Sequence, residues 1–213
     1  MAAYDEVLAR YSEAPALRGT VAGALINKGV TLGQLGRGEE AITAYDEVLR
    51  RCGEDSAPSL RESVAVALYN EGVTLGKVGR GDDAIAAYDE VLKRYGEDLS
   101  PFLREQVAKA LYNKGVTLGQ LGRDEEAVVA YDEALRRYGE DPVPALREQV
   151  AKALFNKGIT LGQLGRGDER IAALRDLVAR FGDDAALANQ DLVALARKDL
   201  GLESGEPEPP PDA

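Results

Sequence analysis

The chain repeats itself every 43 residues. Asn27, Asn70, Asn113 and Asn156 follow one another at that step, and Tyr45, Tyr88 and Tyr131 keep it, with Leu174 closing the second series. The fullest copy of the repeated text is Leu111–Tyr138, LYNKGVTLGQLGRDEEAVVAYDEALRRY. Leu25–Cys52 and Leu68–Tyr95 nearly match it, and Leu154–Phe181 is a weaker version. A fixed period of roughly 20–50 residues marks a stacked architecture, in which each unit buries its apolar face against the next.

Each unit reads as two helices. In the third, Ser100 offers a cap and Pro101 suits the first helical position. Leu103, Val107, Ala110, Leu111, Leu118 and Leu121 hold the three-four spacing of an amphipathic helix. Gly122 supplies the left-handed residue that ends it. Asp124 is expected to cap a second helix, with Glu125 and Glu126 in the favourable first turn and Arg136 and Arg137 near the negative end of the dipole. The apolar face of this helix is Ala127, Val128, Tyr131, Ala134 or Leu135, and Tyr138, and Gly139 follows it. The spacing predicts about 20 residues for the first helix and about 15 for the second. Gly115 stands inside the first helix, where glycine costs about 1 kcal/mol against alanine. Its recurrence as Gly29, Gly72 and Gly158 implies close packing: Gly115 and Ala127 allow the two helices to approach, and Tyr131 fills the space beside them.

The predicted organisation is a lone second helix over residues 1–14, four helical hairpins over 15–182, a capping helix over 183–201 and a disordered acidic, Pro-rich tail over 202–213. Asp183 or Asp184 is the expected start of the capping helix. In the fourth unit Arg170 replaces a small residue and Leu174 the tyrosine. Altered terminal units are what closing an open stack requires.

Charge and composition narrow the function. The net charge is −11, spread along the chain. Nucleic-acid affinity rests largely on Lys/Arg neutralising phosphates, so a nucleic-acid partner is not expected, nor is an anionic membrane. No run approaches about 18 uninterrupted apolar residues, so no span is expected, and no secretion signal is visible. A cytoplasmic protein is the expectation. Cys52 is the sole cysteine and takes the slot of Tyr11, Tyr95, Tyr138 and Phe181, which reads as a core filler.

Histidine is absent, which removes the usual general base and the commonest metal ligand. Gly36-Arg37-Gly38 lacks the Gly-Lys-Ser/Thr ending of a phosphate loop. Asp46-Glu47, Asp89-Glu90 and Asp132-Glu133 are adjacent helical acids, about 100° apart, and do not converge. No catalytic constellation, cofactor or metal site is expected.

At these residues the chain resembles the tetratricopeptide repeat family. Gly115, Ala127 and Tyr131 match that family's pattern, as do Gly72, Ala84 and Tyr88, and Gly29, Ala41 and Tyr45. Lys114 stands where the family prefers Leu, and Gly139 where it prefers Pro. Family units are about 34 residues, so these resemble an elongated variant, the extra length falling at Pro101–Lys109. The resemblance implies an all-α, right-handed α-α superhelix of helical hairpins, with first helices lining a concave face that binds other proteins.

One stripe of each first helix is the candidate binding surface. It reads Gln106, Lys109, Asn113, Val116, Thr117 and Gln120 in the third unit, and Gln149, Lys152, Asn156, Thr160 and Gln163 in the fourth. It reads Val66, Asn70, Thr74 and Lys77 in the second and Asn27, Thr31 and Gln34 in the first. Tyr69, Tyr112 and Phe155 flank it. An amide offers both donor and acceptor to a peptide backbone. The asparagines serve equally well as links between neighbouring units, and the sequence leaves both roles open. Lys109, Lys114, Lys152 and Lys157 would favour an acidic or carboxylate-bearing segment.

The reading is a non-catalytic scaffold that grips an extended peptide or partner helix. The alternatives are a self-associating homo-oligomer, formed by head-to-tail stacking or by exchange of Ala3–Tyr11 between chains, and a designed or recently duplicated array with no evolved ligand.

Overall fold

The computed structural model describes residues 2–11, 15–184 and 190–202. The tail beyond Leu202 and the Glu13 turn lie outside the described residues. Every regular element among the described residues is helical, and no strand occurs. Two compact units divide the chain at Thr117/Leu118.

The first unit holds α1 (Ala2–Tyr11), a short 3-10 turn (Pro15–Leu17), α2 (Arg18–Gln34), α3 (Gly38–Cys52), α4 (Pro58–Lys77) and α5 (Gly81–Tyr95). It ends within α6 (Pro101–Gln120). α1 packs on α2, α2 on α3, α3 on α4 and α4 on α5, while α2 also meets α4. The second unit holds α7 (Asp124–Tyr138), α8 (Pro144–Gln163), α9 (Gly167–Phe181) and α10 (Gln190–Asp199). Here α8 packs on α7 and α9, and α10 on α9 and α8. Consecutive helix-on-helix packing of this kind is the solenoid arrangement.

The first helices α4, α6 and α8 run 20 residues each, and the second helices α3, α5, α7 and α9 run 15. Between them the chain turns on Gly36, Gly79, Gly122 and Gly165, at φ +74°, +83°, +71° and +72°. Side chains avoid that region because Cβ meets the following carbonyl.

Asp124 does not cap α7. It is the first helical residue, and Arg123 occupies the cap position with no side-chain cap bond. The arginine instead folds over the first turn and donates to Glu126 through Nε and Nη2, at 2.7 and 2.6 Å. Arg37–Glu40 and Arg166–Glu169 repeat this forked pair. The expected helix start at Asp183 or Asp184 also differs. Asp183 lies in a turn and Asp184 in irregular chain, residues 185–189 are outside the described set, and α10 begins at Gln190.

The core explains the interior glycines. A Cβ on Gly72 would sit 2.6 Å from Tyr88 Cε1, and one on Gly29 2.5 Å from Tyr45 Cε1. Tyr45 and Tyr88 are both buried. The ring thus packs directly against the bare backbone of its partner helix, and glycine is what allows the approach. In α8 the same contact is made by Leu174, 2.9 Å from a Cβ on Gly158. Cys52 is buried with these residues, and burial pushes its thiol above the ordinary range.

The front of the first helices has its own use. Arg61 lies over the Tyr95 ring at 5.6 Å and donates to Asp98 Oδ2 at 2.5 Å. Arg147 repeats this with Phe181 at 4.9 Å and Asp184 at 2.7 Å. Asp98 also accepts the Ser100 N–H at 2.8 Å, so one carboxylate holds both the loop and the neighbouring hairpin.

Candidate interaction cleft

In the first unit, the C-terminal halves of α2 and α4 stand side by side and leave a cavity of about 280 Å³ between them. Val30, Val73 and Val78 give it apolar walls, and Gln34, Asn70 and Lys77 add polar groups. Gly33, Gly36 and Gly38 border it, so backbone rather than side chain forms that rim. The placement follows from helical spacing: Val30 and Gln34 are four apart on α2, while Asn70, Val73 and Lys77 fall three and four apart on α4. Tyr45 closes the floor. Burial raises its phenol above the ordinary value, and it shares a hydrogen bond with Thr74. Thr74 in turn donates to the Asn70 carbonyl at 2.8 Å.

The second unit has a cavity in the same register. Ile159, Gly162, Gln163, Gly165, Gly167, Arg170 and Asp199 of α10 line an open depression of about 560 Å³. Arg170 and Asp199 form an ion pair there.

The residues marked from sequence are not one exposed stripe. Gln34, Asn70 and Lys77 are brought together in the first cavity, and Gln163 lies in the second. Asn27 and Gln120 are exposed, while Asn113, Asn156, Tyr69, Tyr112 and Phe155 are half-buried. Asn113 donates to the Tyr69 hydroxyl at 3.0 Å and to the Lys109 carbonyl at 3.1 Å. Gln106 and Gln149 are buried, at 5% and 6% exposure, as are Thr117 and Thr160. α4 packs on α3 and α5, and α8 on α7 and α9, so the polar stripes of these first helices are partly walled off.

The lysines expected to draw acidic groups are already paired. Lys109 meets Glu105 at 2.5 Å and Lys152 meets Glu148 at 2.6 Å, each one helical turn away. Lys114 meets Asp89 and Lys157 meets Asp132, in both cases on the preceding second helix. Spacing on one helix could not reveal the latter pairs. Val30, Val73 and Ile159, which line the cavities, each follow an interior glycine as Val116 does, but of this series only Val116 was marked from sequence.

Among the described residues no three His, Cys, Asp or Glu side chains converge to hold a metal, and no helix is long and apolar enough to cross a membrane.

Two tetratricopeptide repeat models match the sequence, over residues 21–54 and 69–142. No curated protein matches it. The fold is similar to the crystal structure of BtubC (BKLC) from P. vanneervenii, with a TM-score of 0.71 and 21% identity, over 93% of this chain and 77% of that one. It is also similar to a tetratricopeptide repeat protein from Parabacteroides merdae ATCC 43184, with a TM-score of 0.61 and 18% identity, over 94% of this chain and 66% of that one. The two matched segments support a place for this chain in the tetratricopeptide repeat family, and the two solved structures share its fold.

Proposed function

We propose that the chain is a non-catalytic scaffold that holds an extended segment of another protein in the cleft between α2 and α4. Tetratricopeptide repeats generally mediate contacts between proteins. The observation that carries the reading is the mixed lining of the cleft. Asn70 and Gln34 offer donors and acceptors suited to a peptide backbone, and Val30, Val73 and Val78 offer apolar area for side chains. Lys77 is exposed and has no carboxylate partner among the described residues, so it favours an acidic group at that end of the segment.

The test uses peptides selected by display on the intact chain. Their contacts are mapped by NMR shift changes and their affinity is measured for Asn70→Ala and Lys77→Ala. Loss of tenfold or more in affinity, with helicity unchanged, supports the cleft. Unchanged affinity in both variants, with shift changes confined to α3 and α5, overturns it.

A further inference from the structure

The seam between α3 and α4 carries a charge reversal that no other repeat has. Lys28, Lys114 and Lys157 stand at one register of the first helices, and the second repeat has Glu71 there. Each lysine reaches an aspartate on the preceding second helix: Lys28 to Asp5, Lys114 to Asp89 and Lys157 to Asp132. At Glu71 the matching aspartate, Asp46, is instead a like-charged neighbour that repels it. Its Oε2 is buried and has no hydrogen-bond partner. An unpartnered buried polar atom carries its full desolvation penalty, and the penalty is larger when the group is charged.

We propose that Glu71 is a proton-operated latch on the α3/α4 seam, closed when its carboxyl is neutral and loosened when it ionises beside Asp46. The charged groups around it do not offset that ionisation. Asp46 of α3 repels it. Arg80, before α5, attracts it but is already held by Asp83 at 2.7 Å and by Glu39 at 3.4 Å. Lys28 of α2 is held by Asp5, and Lys114 of α6 by Asp89.

Burial first, and the Asp46 charge second, push the Glu71 carboxyl up to about 7. A glutamate in the unfolded chain ionises near 4.5. The folded chain therefore keeps a proton that the unfolded chain has lost, and binding more protons in the folded state means that stability falls as pH rises. The stabilisation is full below about 4.5 and is lost as pH climbs through about 7. Tyr45 and Asn70, the sequence neighbours of Asp46 and Glu71, both line the cleft, so the latch sits beside it. It does not depend on what the cleft holds.

The experiment compares wild type, Glu71→Gln and Glu71→Lys by thermal unfolding and by amide exchange of α3 and α4 between pH 5 and 9. Wild type should lose several degrees of Tm across that range relative to Glu71→Gln, which has no proton to lose. Its α4 amides should exchange about tenfold faster at pH 8 than at pH 5 after correction for intrinsic rates, where one unit of pKa shift corresponds to a factor of ten. Glu71→Lys restores the lysine–aspartate pair of the other repeats and should raise Tm at pH 8. Parallel profiles for wild type and Glu71→Gln overturn the latch. Titration of the Glu71 carboxyl in wild type by carbon NMR is independent of whether the variants fold, and a midpoint at the ordinary glutamate value overturns it equally.

Discussion

Asn113 donates its side-chain amide to the hydroxyl of Tyr69, 44 positions earlier, at 3.0 Å. Tyr69 in turn lies 6.4 Å from Tyr88, ring to ring. Both N–H groups of this asparagine are used inside the fold, the second on the Lys109 carbonyl. Asn27, at the same register one end of the array away, is exposed. One residue type is thus bound inside the fold at one position of the column and open to solvent at another.

The two positions separate by mutation. Asn113→Ala should lower stability by about 1 kcal/mol, the usual net worth of an intramolecular hydrogen bond. Asn27→Ala should stay within about 0.5 kcal/mol, as surface changes do. A double-mutant cycle of Asn113→Ala with Tyr69→Phe should show a coupling of about 0.5–1 kcal/mol in urea unfolding. Additive effects would show that the contact contributes nothing.

The glycines give predictions of opposite sign within one fold. Gly72→Ala gains about 1 kcal/mol of helix propensity. Its new methyl, however, would meet the Tyr88 ring at 2.6 Å, and overpacking of a full core costs about 1–3 kcal/mol. The net expectation is destabilisation. Gly23 in α2 has nothing within 4 Å of such a methyl, so Gly23→Ala should stabilise by about 0.5–1 kcal/mol. Urea midpoints moving in the same direction for both would contradict the packing account.

Much of the fold was legible because period and turn chemistry are local. Gly122 ends a helix in the left-handed region, as its place after Leu121 implies, and Gly72 accepts Tyr88 as the repeated pair implies. The candidate site was less legible, for a physical reason. Whether Gln106 faces a ligand or a neighbouring helix depends on which elements flank α6, and helical spacing alone does not say. Lys114 and Asp89 are 25 residues apart and meet only through packing. Glu71 was not marked from sequence, because its departure from Lys28, Lys114 and Lys157 acquires meaning only with Asp46 as its neighbour in the fold. The Asp124 cap failed because Arg123 at the preceding position makes a forked pair with Glu126 instead.

Arg61 should resist even conservative change. Its guanidinium stacks over Tyr95 and also donates to Asp98, and a lysine cannot keep the plane that does both. Exposed cation–π contacts contribute about 0.5–1 kcal/mol and surface ion pairs about 0.2–1 kcal/mol. Arg61→Lys should therefore lower stability by about 1 kcal/mol and speed amide exchange in the first turns of α4. An unchanged exchange pattern would show that the front of the helix is held by other contacts.

At the acid end the sign of the pH dependence reverses. Glu47 is held down to about 2, chiefly by its bond from Arg50 and then by Arg51, and Glu133 is held down to about 2 by Arg136 and Arg137. Both folded values lie below the ordinary glutamate value of 4.5, so here the unfolded chain binds protons first. Their stabilisation is present above about 4.5 and is lost as pH falls through about 2. Both groups sit at the helix surface, where solvent screens the pairs to a fraction of the full shift. Glu47→Gln and Glu133→Gln should therefore lower Tm slightly at pH 6, and the gap to wild type should close by pH 2. It should also shrink in 1 M salt, where the screening length is about 3 Å. A gap that persists at pH 2 would mean that these glutamates stabilise the helices through packing rather than charge.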